Sequence, residues 1–372
     1  MIFSGIAKID RRTKNLVKRL KPGDIAVIMH EDLDMVAAEN LVACKPRAVI
    51  NCHSSISGKY VNRGPYLLID AGIPLIDNAG DELASKISEG DRVEVVGGEI
   101  RKNGAVLATG AVADIRMLNA RNQLAKEHMG EVFENFAANT LAYLDKEKSL
   151  LYSNLNMGSL RLDFRGRQAL IVVRGSEFKK DLDTLRQYIH EQGPVLIAVD
   201  GGADALIEFG FKPNIILGDM DSVTDAALRC GAILIVHAYE GGEAPGMERL
   251  NSLGLEGIPI PSIGTSEDLA LLLAFERGAE LITIVGSHFS VEEFLSKGRG
   301  GMASTFLTRL RVGSVLVDAK GISKLYQNKV RPMLLIYLAA AAAFPIAAIF
   351  LVSPLGPLTQ QFMRLLKLMF NM

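Results

Sequence analysis

Short apolar runs alternate with amphipathic stretches along most of the chain. Ala169–Val173 and Val195–Val199 are five-residue apolar runs, and between them Asp181–His190 carries apolar residues at helical spacing. Strands that are apolar on both faces and alternate with helices are typical of a parallel sheet covered by helices. The pattern therefore predicts a parallel α/β domain over residues 161–328.

The same alternation begins near the N-terminus. An apolar run at 25–28 precedes an amphipathic stretch at 32–42, and residues 92–95 alternate polar and apolar side chains as a half-buried strand does. This pattern predicts a first α/β domain over residues 1–112. From 113 to 160, apolar residues recur at helical intervals among many charges. That spacing predicts a helical connector, either for oligomerisation or packed across both domains.

The C-terminal region has a different pattern, because no charged residue occurs from Met333 to Val352. About 20 helical residues, each rising ~1.5 Å, span roughly 30 Å, the thickness of the hydrocarbon core of a bilayer. We therefore predict one transmembrane helix at about 333–352, within a terminal segment 329–372. The alternative is a buried, alanine-rich core helix. Basic residues before the span and the lack of an export signal favour a single-pass cell-membrane protein with most of its chain in the cytoplasm.

Composition narrows the choice of partners. Lysine and arginine total 41, aspartate and glutamate total 42, and the formal net charge of the 372 residues is -1. This balance argues against a nucleic-acid partner, which requires a basic surface. The three cysteines are an odd number without the spacing of metal ligands, which predicts reduced thiols in a cytosolic protein.

The strongest candidate site follows the apolar run Ile215–Leu217. Gly218 opens a turn there, and Asp219, Asp221 and Ser222 come directly after it. Ligands of open α/β sheets bind at the carboxyl ends of the strands, and paired carboxylates there can hold Mg²⁺ against a polyphosphate. We therefore predict that Asp219 and Asp221 are metal ligands. The alternative is that Asp221 or Ser222 caps a helix that begins near Thr224.

A second acidic segment follows the preceding strand, 18 residues earlier. If both strands belong to one parallel sheet, all four carboxylates of the two segments face a common crevice. The glycines of this segment would let backbone amides approach a phosphate. The predicted ligands are Mg²⁺ and ATP or another nucleotide, and the predicted contacts in this segment are Asp200, Gly201, Gly202 and Asp204.

Two later segments add candidate phosphate contacts. Thr265 and Asp268 stand at the head of an apolar helix, where Thr265 or Ser266 is also a plausible N-cap. Lys297 and Arg299 lie in a glycine-rich loop before another helix, an arrangement suited to a polyphosphate although it lacks the Lys-Ser/Thr end of a Walker loop. The alternative for that loop is a basic segment without a ligand.

The first domain resembles the swivelling β/β/α domain of phosphoenolpyruvate-utilising enzymes in its serine-rich loop, Ser54–Ser57, and its final Gly90–Val95 segment. That family carries a phosphorylated histidine in a Thr-Ser-His setting. His53 lies in a comparable loop without that setting. The loop is therefore interpreted as a ligand-binding or packing segment, with a phosphocarrier role for His53 as the weaker alternative.

Residues 168–318 resemble the catalytic domain of thiamine pyrophosphokinase. The resemblance is carried by Asp200–Ala203, by Gly218–Ser222 and by Asp268, which matches the aspartate of that family's Thr-Asp element. It implies pyrophosphoryl transfer from ATP, with Mg²⁺ held by the acidic residues. Ser287–Phe289 stands where the family has Gly-Gly-Arg-x-Asp-His, and the β-sandwich that completes the thiamine pocket is absent from the sequence pattern.

Over its full length the chain resembles the septation, or cytokinetic-ring, proteins of the SteA type from Gram-positive bacteria. The phrases that match are Ser55–Gly58, Asp200–Asp204, Gly264–Asp268 and Asp318–Gly321. The resemblance implies a division factor with a kinase-like cytosolic region and one C-terminal span. A homo-oligomer that also contacts other divisome membrane proteins is expected. The alternative is a working pyrophosphokinase in which Asp219 and Asp221 are catalytic, and a weaker one is a metabolite-sensing regulator.

Overall fold

The computed structural model describes residues 2–157, 160, 162–296, 301–325, 337, 339–345 and 361. Residues 1–322 form one compact unit and residues 323–372 a second. No helix among the described residues is long and apolar enough to cross a membrane. The predicted span at about 333–352 lies mostly outside those residues.

The first sheet has eight strands in the order β7-β6-β5-β1-β2-β3-β4-β8. β1 to β4 run parallel, and β5 to β8 are joined antiparallel at the two sides. Its strands are β1 Ile2–Asp10, β2 Ile25–Ile28, β3 Ala48–Asn51, β4 Leu75–Asp77, β5 Arg92–Val96, β6 Glu99–Lys102, β7 Ala105–Thr109 and β8 Ala111–Val112. Four short helices connect them: α1 Thr13–Leu16, α2 Met35–Cys44, α3 Gly64–Asp70 and α4 Glu82–Lys86.

Helix α2 begins later than the apolar spacing predicts. Asp34 is its N-cap and accepts a hydrogen bond from the Ala37 amide at 2.8 Å. Asp32, where the spacing places the start, has a left-handed backbone (φ 54°) and accepts from the Ser57 amide at 2.6 Å. A capping carboxylate fixes a helix start more tightly than apolar periodicity does.

Helix α5, Ile115–Glu147, lies within the region 113–160 predicted as a helical connector and is followed by a 3₁₀ turn, Lys148–Leu151. Its 33 residues are about 50 Å long at 1.5 Å each. Leu118 is buried against the first sheet, and the Phe136 ring lies 6.0 Å from the Phe294 ring beside the second. The helix is thus packed across both sheets.

The second sheet has seven parallel strands in the order β13-β12-β11-β10-β9-β14-β15. This confirms the predicted parallel α/β region. The strands are β9 Gln168–Val172, β10 Val195–Val199, β11 Ile215–Gly218, β12 Ile233–Ala238, β13 Ile258–Pro261, β14 Leu281–Val285 and β15 Leu316–Asp318. The helices are α6 Phe178–Thr184, α7 Arg186–Gln192, α8 Gly202–Glu208, α9 Asp225–Leu228, α10 Gly246–Ser252, α11 Ser266–Glu276, α12 Val291–Ser296, α13 Ala303–Val312 and α14 Ile322–Leu325.

The connections of this sheet create one topological switch point. From β9 the chain proceeds through β10, β11, β12 and β13 on one side and then returns to β14 on the other side of β9. A crevice opens where the strand order reverses, outside the carboxyl ends of the strands, and it is the usual ligand position in open α/β sheets. Here that position is the end of β9 and β14, next to the ends of β10 and β11.

Candidate functional site

Asp200 and Asp219 meet at the carboxyl edge of the second sheet. β10 and β11 are parallel neighbours in register, with Val199 opposite Leu217, and each aspartate follows the end of its strand directly. Asp200 Oδ1 accepts a hydrogen bond from the Asp219 amide at 2.9 Å. Asp219 Oδ1 in turn accepts from the Asp221 amide at 2.9 Å. The structure therefore links three of the four predicted acidic residues in one chain of contacts, Asp221 through its backbone amide.

Gly218 allows this close approach. A Cβ atom at this residue would lie 1.8 Å from Asp200 Oδ1, and its φ of 151° is a conformation that residues with side chains rarely adopt. The glycine of the motif is thus required by the packing of the carboxylate against the strand end.

Met220 anchors the turn between the two exposed aspartates. Its side chain is fully buried, whereas Asp219 and Asp221 are exposed, so the turn directs both carboxylates outward. Met220 has a left-handed backbone with φ of 66°, a costly conformation for a residue with a side chain. The Arg249 guanidinium donates to the carbonyl oxygens of Met220 and Val223 and holds the turn in that conformation.

Asp200 and Asp219 place two carboxyl groups close to each other at the strand ends. Burial, together with the charge and the side-chain hydrogen bond of Asp219, raises the pKa of Asp200 to about 7. Two adjacent carboxylates repel unless a proton or a cation lies between them. Among the described residues, no group of three or more His, Cys, Asp or Glu side chains is arranged to hold a metal ion. Mg²⁺ commonly takes only one or two protein carboxylates and completes its shell with water and phosphate oxygens. The exposed carboxylates of Asp219 and Asp221 fit such an ion.

The alternative role of the motif as a helix cap is wrong. Thr224 is the N-cap of α9, and its hydroxyl accepts from the Ala227 amide at 3.3 Å. Asp204 supports that cap, because its carboxylate accepts from both the amide and the hydroxyl of Thr224. Asp221 and Ser222 are not needed for it.

Gly201 and Gly202 have packing roles at the start of α8. A Cβ at Gly202 would lie 2.1 Å from the Val172 carbonyl oxygen, so only glycine lets α8 pack against β9. A Cβ at Gly201 would lie 2.6 Å from Cδ of Arg174. Contact of either glycine with a phosphate remains a prediction.

Thr265 and Asp268 form a capping box at the head of α11, which confirms Thr265 as the N-cap. The Thr265 hydroxyl accepts from the Asp268 amide at 3.1 Å, and Asp268 Oδ2 accepts from the Thr265 amide at 3.0 Å. The same Oδ2 accepts from the hydroxyls of Ser304 and Thr305, each at 3.1 Å. Asp268 is wholly buried, which raises its pKa. These contacts explain both residues within the fold, and their role as ligands remains a prediction. Lys297 and Arg299 lie outside the described residues.

The Ser287–Phe289 segment after β14 is held by neighbouring side chains. The Ser287 hydroxyl donates to Asp318 at 2.9 Å, and His288 Nδ1 lies 2.5 Å from Glu267 Oε1. The Arg309 guanidinium lies 4.1 Å from the centre of the Phe289 ring. Below this segment the strand ends touch through backbone alone, since a Cβ at Gly175 would lie 2.1 Å from the Gly286 carbonyl oxygen.

Two helices that connect strands of the first sheet contact residues at the carboxyl edge of the second sheet. The sequence pattern did not predict these contacts. Lys14 of α1 donates from Nζ to Ser222 Oγ at 3.1 Å. Glu39 of α2 accepts from the Ser176 hydroxyl at 2.9 Å and from the Glu177 amide at 3.2 Å. Lys14 and Ser222 are 208 positions apart, and no local pattern marks either as a contact of the other.

Comparison with known proteins identifies the end of the chain. Residues 320–372 match the family described as the SteA-like C-terminal domain. The chain contains a SteA-like C-terminal domain. This match confirms the SteA-type resemblance for that segment.

Part of the chain is also similar to a curated pyrophosphokinase. The 6-hydroxymethyl-7,8-dihydropterin pyrophosphokinase of Methanocaldococcus jannaschii is 29% identical over 107 residues, which cover 26% of this chain and 44% of that protein. The chain thus spans less than half the length of this relative. It combines a SteA-like C-terminal domain with a region similar in sequence to a pyrophosphokinase.

Two solved structures give weaker comparisons. Thiamine pyrophosphokinase from Bacillus subtilis shares 23% identity with a TM-score of 0.24, covering 35% of this chain and 52% of that one. The apo-structure of D-lactate dehydrogenase from Escherichia coli shares 10% identity with a TM-score of 0.15, covering 82% and 85%.

Proposed function

We propose that this protein is a septation factor whose second sheet binds a Mg²⁺–nucleotide complex, with ATP as the first candidate. The SteA-like C-terminal domain supports the role in cell division. The observation that carries the nucleotide proposal is the contact of Asp200 with Asp219 at the carboxyl edge, beside the topological switch point. The pyrophosphokinase relative supports a nucleotide as the ligand class.

In this proposal Asp219 and Asp221 contact the magnesium ion. When bound, the ion neutralises phosphate charge and orients the phosphate oxygens. Asp200 orients the Asp219 backbone through its 2.9 Å hydrogen bond, and Met220 keeps the two exposed carboxylates on the solvent side of the turn. The exposed side of the turn leaves coordination positions for water and phosphate.

Binding is tested with the full chain by calorimetry, using ATP with and without Mg²⁺. We expect binding that depends on Mg²⁺ and is lost in Asp219→Ala. A matched control is Asp183→Ala, which removes an exposed carboxylate from α6 on the same sheet. Absence of ATP binding by the wild-type chain, or unchanged binding by Asp219→Ala, contradicts the proposal.

A second candidate function is pyrophosphoryl transfer, with Asp219 and Asp221 as catalytic residues. The similarity to a pyrophosphokinase favours it. In the family resemblance, Ser287–Phe289 replaces the expected Gly-Gly-Arg-x-Asp-His segment, and here these residues are engaged with Asp318, Glu267 and Arg309. That difference favours binding without transfer to thiamine.

Turnover separates the two functions. The full chain is incubated with ATP and Mg²⁺ and with thiamine or 6-hydroxymethyl-7,8-dihydropterin, and AMP and the diphosphorylated product are measured. We expect nucleotide binding without product. Product that disappears in Asp219→Ala establishes the enzyme instead.

The membrane and assembly parts of the proposal rest on the sequence. We propose a single span at about 333–352 that holds the protein at the cell membrane, with self-association and contact with other divisome membrane proteins. Deletion of residues 333–372 should move the protein to the soluble fraction, and an unchanged distribution would refute the span. Light scattering of the full chain in detergent tests self-association, which a monomer mass would contradict.

A further inference from the structure

The first cation at the topological switch point is the guanidinium group of Arg174. Arg174 lies two residues after the end of β9, and its side chain extends over the neighbouring Asp200–Gly201 turn. Its Cδ and Nη1 atoms lie 2.6 and 3.2 Å from where a Cβ of Gly201 would be. Within the part of the chain that the structure describes, no acceptor forms a hydrogen bond or ion pair with its guanidinium. The absence of a side chain at Gly201 is what lets the guanidinium lie across the turn.

Lys14 brings a second cation to the same edge from the other sheet. Its ammonium group donates to the Ser222 hydroxyl, a neutral partner, and no described carboxylate lies within ion-pair distance of it. Lys14 is exposed, so its remaining donors face solvent at the Asp219–Ser222 turn. Glu39 of α2 holds the loop that follows Arg174. Its carboxylate accepts hydrogen bonds from the Ser176 hydroxyl and from the Glu177 amide, two and three residues after Arg174.

The two cations are not neutralised by the acidic group beside them. Asp219 Oδ1 accepts from the Asp221 amide and Asp200 Oδ1 from the Asp219 amide, whereas neither aspartate forms an ion pair with Arg174 or Lys14 among the described contacts. Separate positive and negative groups along one edge of the sheet suit a ligand that carries both charges. A phosphate chain with a bound divalent cation is such a ligand.

We infer that Arg174 and Lys14 form the anion-binding half of the site and contact the phosphoryl oxygens of a nucleoside polyphosphate. This inference rests on the proposed nucleotide function for the identity of the ligand, and only the anionic part of the ligand is required by the geometry. Arg174 presents planar, paired donors to two phosphate oxygens, and Lys14 adds a point charge at the Asp219–Ser222 turn. The site is therefore built from both sheets.

The test compares binding of ATP with Mg²⁺ and of tripolyphosphate without nucleoside, measured by calorimetry on the full chain. We expect Arg174→Ala to weaken both ligands by about 10- to 100-fold, because charge-assisted hydrogen bonds are lost. Lys14→Ala should weaken both by about 3- to 10-fold, as expected for an exposed point charge. Lys86→Ala is the matched control, since it removes an exposed lysine of α4 that pairs only within its helix and with a carbonyl oxygen of β7.

Two further variants separate the inference from misfolding. Arg174→Lys keeps the charge and should recover part of the affinity, and Gly201→Ala displaces the Arg174 side chain and should weaken binding as Arg174→Ala does. The affinity of the wild-type chain should also fall with added salt more steeply than that of Arg174→Ala.

The outcomes distinguish this inference from the proposed function. Wild-type ATP binding that is unchanged in Arg174→Ala and Lys14→Ala overturns the inference and leaves the nucleotide site standing. Binding of tripolyphosphate that depends on Arg174, without binding of ATP, supports the anion site and overturns the nucleotide proposal. Failure of the wild-type chain to bind either ligand overturns both.

Discussion

Replacing Asp200 by asparagine should remove a pH-dependent loss of stability. The pKa of Asp200 is about 7 in the folded protein, against 3.8 for its ordinary value, because it is buried beside Asp219. Folding thus favours the protonated form. The contribution of protonated Asp200 to the free energy of unfolding is fully present below about pH 4 and is lost as the pH rises through about 7. The difference between the two pKa values corresponds to about 4 kcal/mol, of which more than half falls between about pH 5 and about pH 8.5.

Urea denaturation of the full chain without Mg²⁺, at those two pH values, measures the effect. Asparagine resembles the neutral acid at every pH, so Asp200→Asn should lose about 2 kcal/mol less than the wild type between about pH 5 and about pH 8.5. Asp70→Asn, at the exposed end of α3, is the control and should follow the wild type. Added Mg²⁺ should restore stability to the wild type at high pH. Equal losses in Asp200→Asn and the wild type would refute the crowded-carboxylate explanation.

Three further predictions follow from single contacts. Gly218→Ala should abolish ATP binding in calorimetry, because its Cβ would lie 1.8 Å from Asp200 Oδ1; wild-type affinity would contradict this. Thr265→Ala should lower the free energy of unfolding by about 1 kcal/mol through loss of the α11 cap while ATP affinity is unchanged, and weaker binding would instead show a ligand role. Asp77→Ala should lower the free energy of unfolding by about 2 kcal/mol in urea denaturation, because the buried Asp77 carboxylate pairs with Arg121 and accepts a hydrogen bond from the buried Ser55 amide. A loss below about 1 kcal/mol would contradict this.

The strands of the second sheet were predictable because they are apolar on both faces. The contact between Asp200 and Asp219 was predictable for a related reason, since parallel neighbours place their carboxyl ends at one edge. The start of α2 was not, because the Asp34 cap and the left-handed backbone of Asp32 override the apolar spacing. The sequence also could not place Lys14 at this edge, because that contact depends on how two sheets pack and leaves no local periodicity. For Thr265 and Asp268 the pattern allowed both a cap and a ligand, and the described contacts supply the cap.

The backbone contact between Gly175 and Gly286 has a consequence for how this site can diversify. Neither glycine has room for a Cβ atom, so substitutions at these two positions would separate β9 from β14 and disrupt the sheet. A change in ligand preference therefore has to arise at the rim, from residues such as Arg174, Lys14 and His288. Lys14 and Arg174 belong to the parts of the chain built on different sheets. A small rotation of one sheet against the other would therefore change the distance between these two cations without disturbing the contact between Gly175 and Gly286.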